Sequence, residues 1–166
     1  MAFVVEDGTG LETANAYVSV DDANSYFTDK GVSSWTGLDA VKEAAIVRAT
    51  LALDGIYGER WIGYRSTQDQ GLDWPRTHAW DKDGFPQTGV PTALEKATCE
   101  AALLELGSEG ILTPALSRGG LVASESVGPV AISYFGNAPA GVDYQTVKYY
   151  VSRLIKGTGG ITVSRG

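Results

Sequence analysis

Side chains that carry catalysis or hold metals are sparse in this 166-residue chain. His78 is the only histidine and Cys99 the only cysteine. Together they fall short of the ligands a zinc site takes. Cys99 lies in a stretch rich in Ala and Leu, where a thiol reads as a small buried side chain rather than a nucleophile. Asp81-Lys82-Asp83-Gly84 starts like a calcium loop. Such a loop places its glycine sixth, a ligand fifth and a closing glutamate twelfth, whereas here Gly84 is fourth, Phe85 fifth and Thr92 twelfth. The stretch therefore reads as a tight turn between short extended arms, with Gly84 at positive φ. Neither Gly119-Gly120 nor the run from Gly157 to Gly160 is followed by the Lys-Ser/Thr of a phosphate loop. The motif GxSxG is absent, and no local sequence supports His78 as the base of a serine triad. The expectation is a protein that is not an enzyme, with no catalytic residue, no cofactor and no metal.

One constellation remains, and it is aromatic. Tyr57, Trp61, Tyr64 and Trp74 lie near Arg60, Arg65 and Arg76. Aromatic faces beside arginines can stack the bases of single-stranded nucleic acid. The alternative is that these rings fill the core of a loop-rich region. A net charge of −7 and a pI of about 4.6 add weight to that alternative, because domains that grip phosphates normally show a basic face.

The elements that must hold these residues follow from periodicity. Residues 38–61 organise the rest. On a helix, Asp39, Glu43, Thr50 and Asp54 form a narrow polar stripe, with Ala40, Ala44, Val47 and Leu51 on one flank and Ile46, Ala49 and Leu53 on the other. So little polar surface predicts a central helix covered on several sides. Arg48 points into an apolar sector beside Val41, Ala45 and Ala52. It is either a paired or snorkelling arginine with its stem packed, or a contact to a partner chain. Ser19 and Asp22 have capping-box spacing ahead of a helix that stops at Gly31. Trp35 reads as a core anchor, and Pro91 as the first residue of a third helix ending at Gly107.

Helices are expected near 21–30, 38–54, 91–106 and 143–156. A hairpin is expected near 121–135, its extended runs at 121–126 and 130–135. The fold class is α+β, mainly α, as one domain over 1–156 with a flexible, glycine-rich tail over 157–166. Glu125 and Ile132 on the hairpin, and Ile161, Thr162 and Val163 in the tail, join Arg48 as candidate interface residues, since an exposed ribbon and a short β-prone tail both suit strand addition to a neighbour. A single cysteine points to a reducing compartment. No run is apolar enough to span a membrane, and the first residues do not read as a signal peptide.

Read in order, VVEDGTGLETANAYVSVDDANSYF, VKEAAIVRATLALDG, LDWPR, DKDGFP, VPTALEKATCEAALLEL and GGLVASESVGPVAISY resemble a tailed-bacteriophage family usually labelled DnaT-like ssDNA-binding protein. That family is similar in plan to head–tail connector (adaptor, head-completion) proteins of the phage neck. The resemblance covers nearly the whole chain and brings no catalytic residues. Its label implies single-stranded DNA binding. Its connector relatives imply a structural virion protein made in the host cytoplasm. Such a subunit forms a closed homo-oligomeric ring of about twelve copies between the portal protein and a tail-side neck or tail-completion protein. DNA would pass through that ring without sequence-specific binding, and an acidic lumen would repel its backbone. The acidic charge favours the ring as the first expectation, with single-stranded DNA binding as the alternative.

Overall fold

The computed structural model describes residues 2–113 and 144–156, together with the backbone pairing of 124–127 and 130–133. Among the described residues four helices carry the fold: α1 Val20–Lys30, α2 Asp39–Tyr57, α3 Thr92–Gly107 and α4 Gln145–Val151. Two short antiparallel pairs complete it, β1 Tyr64–Arg65 with β2 Arg76–Thr77, and β3 Ser124–Val127 with β4 Val130–Ser133. The class is α+β and mainly helical. α2 packs along α3, α3 along α4, and α1 lies across both α2 and α3.

The start of α1 follows the expected chemistry. Ser19 Oγ accepts the Asp22 N–H at 3.1 Å, and Gly31 ends the helix at φ +70°, with its N–H and that of Val32 returned to Thr28 and Phe27. α2 runs a turn beyond the expected end at Asp54. Gly55 alone does not stop a helix whose next turn buries Tyr57, and the chain then tightens into a 3₁₀ turn at Gly58–Arg60. Pro91 proves to be the N-cap of α3, extended at ψ 140°, rather than its first helical residue, and Gly107 is the last helical residue rather than the stop. α4 is shorter than expected at both ends and passes into turns after Val151. The hairpin pairs Glu125 with Ile132 across β3–β4, so the two expected interface residues are opposite each other in register. Ile161, Thr162 and Val163, with the rest of 157–166, lie outside the described residues.

The core sits where α2 crosses α3. Ile46, Ala49 and Leu53 of α2 and Leu94, Ala97 and Ala101 of α3 belong to one buried cluster with Val151, Leu154, Tyr17, Phe27 and Trp35. Each large aliphatic buried this way contributes about 1.5–3 kcal/mol. Small alanines on facing helices allow close approach. Cys99 is buried, as expected, and burial pushes its thiol up to about 12. Trp35 is a core anchor whose indole N–H donates to Asn24 Oδ1 at 2.9 Å.

The cover expected on several sides of α2 is uneven. The far half of the polar stripe turns inward, with Thr50 fully buried and Asp54 largely so, while Asp39 is exposed. Leu38 at the cap, Val41, Leu51 and Ile56 are exposed. The reason is that the loops before α1 and after α2 deliver hydrogen-bond partners to the polar side, so that side turns inward and apolar side chains are left outside.

Candidate nucleic-acid interface

Residues 58–90 carry little regular structure, and side chains brace their backbone. Gln70 is buried: its amide donates to the carbonyls of Leu72 (2.7 Å) and Pro75 (3.1 Å), while its Oε1 accepts the Thr67 N–H (2.9 Å). Arg65 donates to the Gln70 carbonyl. The Arg76 guanidinium donates to the carbonyls of Ile62 (2.8 Å), Asp73 (3.1 Å) and Gly63 (2.9 Å). Burial lowers its pKa, and the neighbouring Asp73 carboxylate opposes that shift. Gly63 permits the β1–β2 approach: it sits at φ +68°, and a Cβ there would lie 2.4 Å from the Thr77 carbonyl.

At the far end the expected turn is present. Asp81 Oδ1 accepts the N–H groups of Asp83 (3.0 Å) and Phe85 (2.8 Å), Gly84 stands at φ +85°, and the Gln87 N–H donates to the Ala79 carbonyl at 2.7 Å. Trp80 and Pro86 form an antiparallel bridge across it. These local bonds are the kind that Asp and Gly make in turns.

Trp61 and Trp74 lie fully buried beneath this scaffold, 6.2 Å apart edge to face, with Tyr57 5.7 Å from Trp61. Among the described residues the buried indole nitrogen of Trp74 meets no partner within hydrogen-bond geometry, while that of Trp61 is turned toward the Asp54 carboxyl, where it favours the charged form. The expected stacking set is therefore mostly core: of Tyr57, Trp61, Tyr64 and Trp74, only Tyr64 is available to a ligand. Exposed instead are Tyr64 (72%), Phe85 (66%) and Trp80 (56%). Tyr64 meets His78 edge to face at 6.5 Å, and His78 is the one non-glycine residue at positive φ (+53°) among the described residues. His78, Trp80 and Pro86 line a common cleft of about 360 Å³. A signal for this surface existed in the sequence, since Trp80 and Phe85 flank the turn at 81–84, and turn arms project their side chains.

Where the aromatic region meets α2, an acid sits with no ion-pair partner among the described residues. Asp54 accepts the Tyr17 hydroxyl (2.7 and 2.8 Å) and the Asp73 N–H (3.0 Å), and Tyr17 in turn accepts the Trp74 N–H at 3.2 Å. Burial pushes the Asp54 carboxyl up to about 6 despite those donors, and the same burial holds Tyr17 neutral. A second clasp joins this region to the end of α4: the Ile62 N–H donates to the Leu154 carbonyl (3.0 Å) and the Lys156 N–H to the Arg60 carbonyl (2.7 Å).

Arg48 is placed away from the aromatic surface and is paired within its own chain, with Glu105 at 3.1 Å and Glu109 at 3.0 Å. Glu105 is buried and also accepts the N–H groups of Gly110 and Leu112. Among the described residues no group of three or more His, Cys, Asp and Glu side chains is placed to hold a metal ion. No helix among them is long and apolar enough to cross a membrane.

Over residues 1–166 the chain matches the family described as "Putative DnaT-like ssDNA binding protein". No curated protein and no solved structure matches it.

Proposed function

The chain belongs to the DnaT-like ssDNA binding protein family over its whole length, and from that premise we propose that it binds single-stranded DNA through the aromatic surface of residues 61–89. The observation that carries this reading is the exposure of Tyr64, Trp80 and Phe85 on a backbone braced by its own side chains. Each base stacked on such a ring is worth about 1–3 kcal/mol and needs no particular sequence. Residues 58–90 carry four basic and five acidic side chains, so stacking rather than phosphate attraction supplies the affinity. The salt dependence is correspondingly shallow, with a log–log slope of about −2 or less in magnitude.

Fluorescence anisotropy with a labelled deoxythymidine oligonucleotide tests this. Saturable binding is expected below about 100 µM. Trp80→Ala should weaken it about ten-fold or more. No binding by the wild-type protein, or a Trp80→Ala protein that binds unchanged, overturns the reading.

A second reading, a structural subunit of a virion neck ring between portal and tail, is favoured by a different surface. Leu51 of α2 is exposed and lines a mainly apolar cavity of about 460 Å³ with Ala14, Val47 and Leu72 among others, and Val41 and Ile56 are exposed elsewhere on the same helix. Exposed apolar side chains next to a cavity suit a protein neighbour. Sedimentation with and without oligonucleotide separates the readings: a ring that forms without DNA and is lost in Leu51→Asp supports the neck role. A monomer that binds DNA while Leu51→Asp changes nothing argues against it.

A further inference from the structure

Resting on the single-stranded DNA reading, we infer that the cleft beside Trp80 takes one unpaired nucleobase and prefers guanine. The cleft is lined by Arg76, His78, Trp80, Pro86 and Thr88 among others, and its volume of about 360 Å³ falls in the range of small-ligand sites, about 300–1,000 Å³. Trp80 offers an exposed ring for stacking. Arg76 offers the polar contact. A guanidinium has five N–H donors. Three are spent on the carbonyls of Ile62, Asp73 and Gly63, one from each nitrogen. One N–H on each terminal nitrogen is left without a partner among the described residues.

Because three backbone carbonyls fix the group, it enters a complex already ordered. Two donors on the adjacent terminal nitrogens of one planar group can match the O6 and N7 acceptors of guanine. Thymine offers a single acceptor, adenine an acceptor beside a donor, and cytosine an amino donor on the edge an arginine would read. Two backbone features shape the cleft. Gly8 and Gly89 also line it, and a Cβ on Gly8 would lie 3.1 Å from Gly89 Cα, so side chains there would force its edges apart. His78 is held in a left-handed conformation uncommon for a non-glycine residue, the kind of local strain that collects at ligand sites.

The experiment uses the full chain and labelled deoxythymidine oligonucleotides whose central base is thymine, guanine, adenine or cytosine. In the wild-type protein the single guanine should raise affinity about ten-fold over the all-thymine strand. Thr88→Trp, at an exposed position that lines the cleft, should abolish that gain, so that the guanine strand binds no more tightly than the all-thymine strand measured in the same variant. Arg76→Lys should do the same, since an ammonium cannot present the paired fork. If Arg76→Lys melts early because its carbonyl braces are lost, Thr88→Trp decides alone. Equal affinity for all four strands overturns this inference and leaves single-stranded DNA binding standing. A guanine preference that survives Thr88→Trp also overturns it, by placing the preference elsewhere. Failure of the wild-type protein to bind any strand overturns the binding reading and this inference with it.

Discussion

The helical layer and the segment 58–90 hold themselves together in opposite ways. Between α2 and α3 the work is done by close-packed alanines and leucines, and a buried charge such as Glu105 is closed by the neighbouring helix through Arg48. In 58–90 few backbone groups pair in ladders. Gln70, Arg76 and Asp81 each close several backbone groups of their own neighbourhood. A nearly irregular segment can thus hold a fixed course. Polar side chains spent on the backbone fix its course, Trp61 and Trp74 anchor it from beneath, and Tyr64, Trp80 and Phe85 are left for the surface.

The largest expected effect lies at the seam of the two regions. In the folded protein the Asp54 carboxyl is pushed up to about 6 from an ordinary 3.8. The folded state therefore holds a proton that the unfolded chain releases between those values. The charged form above pH 6 costs on the order of 3 kcal/mol, and stability from this group rises as pH falls through about 6, levelling off near 4. Urea unfolding at pH 7.5 and 5 should show wild type gaining on Asp54→Asn at the lower pH. Curves that move in parallel would mean that the seam is better solvated than its burial implies.

Next in size, Gln70→Ala should destabilise by about 1–3 kcal/mol, because it strands the buried Leu72 carbonyl, leaves the Pro75 carbonyl to the Ser66 N–H alone and frees the Thr67 N–H from its brace. A melting temperature unchanged by this variant would mean that side-chain bracing carries no weight in this segment.

The smallest effect sharpens it. Phe85→Ala should shift stability by less than about 0.5 kcal/mol, as exposed positions do, while weakening oligonucleotide binding. A drop of several degrees in melting temperature would show that Phe85 packs on the turn and is no free stacking face.

The two regions also differ in how far the sequence discloses them. α1 is legible from Ser19, Asp22 and Gly31, because a cap and a left-handed stop are local chemistry. α2 and α3 are legible as helices from their apolar content. Their orientation is not: Thr50 and Asp54 look like a wet stripe until Tyr17 and Asp73 arrive from distant segments to receive them. In 58–90 the aromatics and arginines are visible as a group, yet which rings go inside depends on contacts that no periodicity records. Trp61 and Trp74 fall within reach of each other and of Tyr57, whereas Trp80 rides on a turn. For the hairpin, the described pairing of residues 124–127 with 130–133 falls where the extended runs around Gly128-Pro129 are expected, while its register of Glu125 opposite Ile132 comes from the structure alone.

The clasp of Arg60 and Ile62 on residues 154–156 has a consequence for the order in which the protein matures. Strands β1 and β2 can pair as soon as residue 77 is made, but the turn leading into them is fastened to residues synthesised much later. On the ribosome, α1 to α3 can pack while the lower margin of the aromatic surface waits for α4 to emerge. Contacts between segments so distant in the chain close slowly. Binding competence would then arrive last, after most of the compact mass has formed, which keeps exposed rings from recruiting a strand to a half-made chain. Pulsed hydrogen exchange during refolding reports this directly: the Ile62 and Lys156 amides should gain protection together and after the amides of α3, and protection of Ile62 ahead of α3 would refute the order.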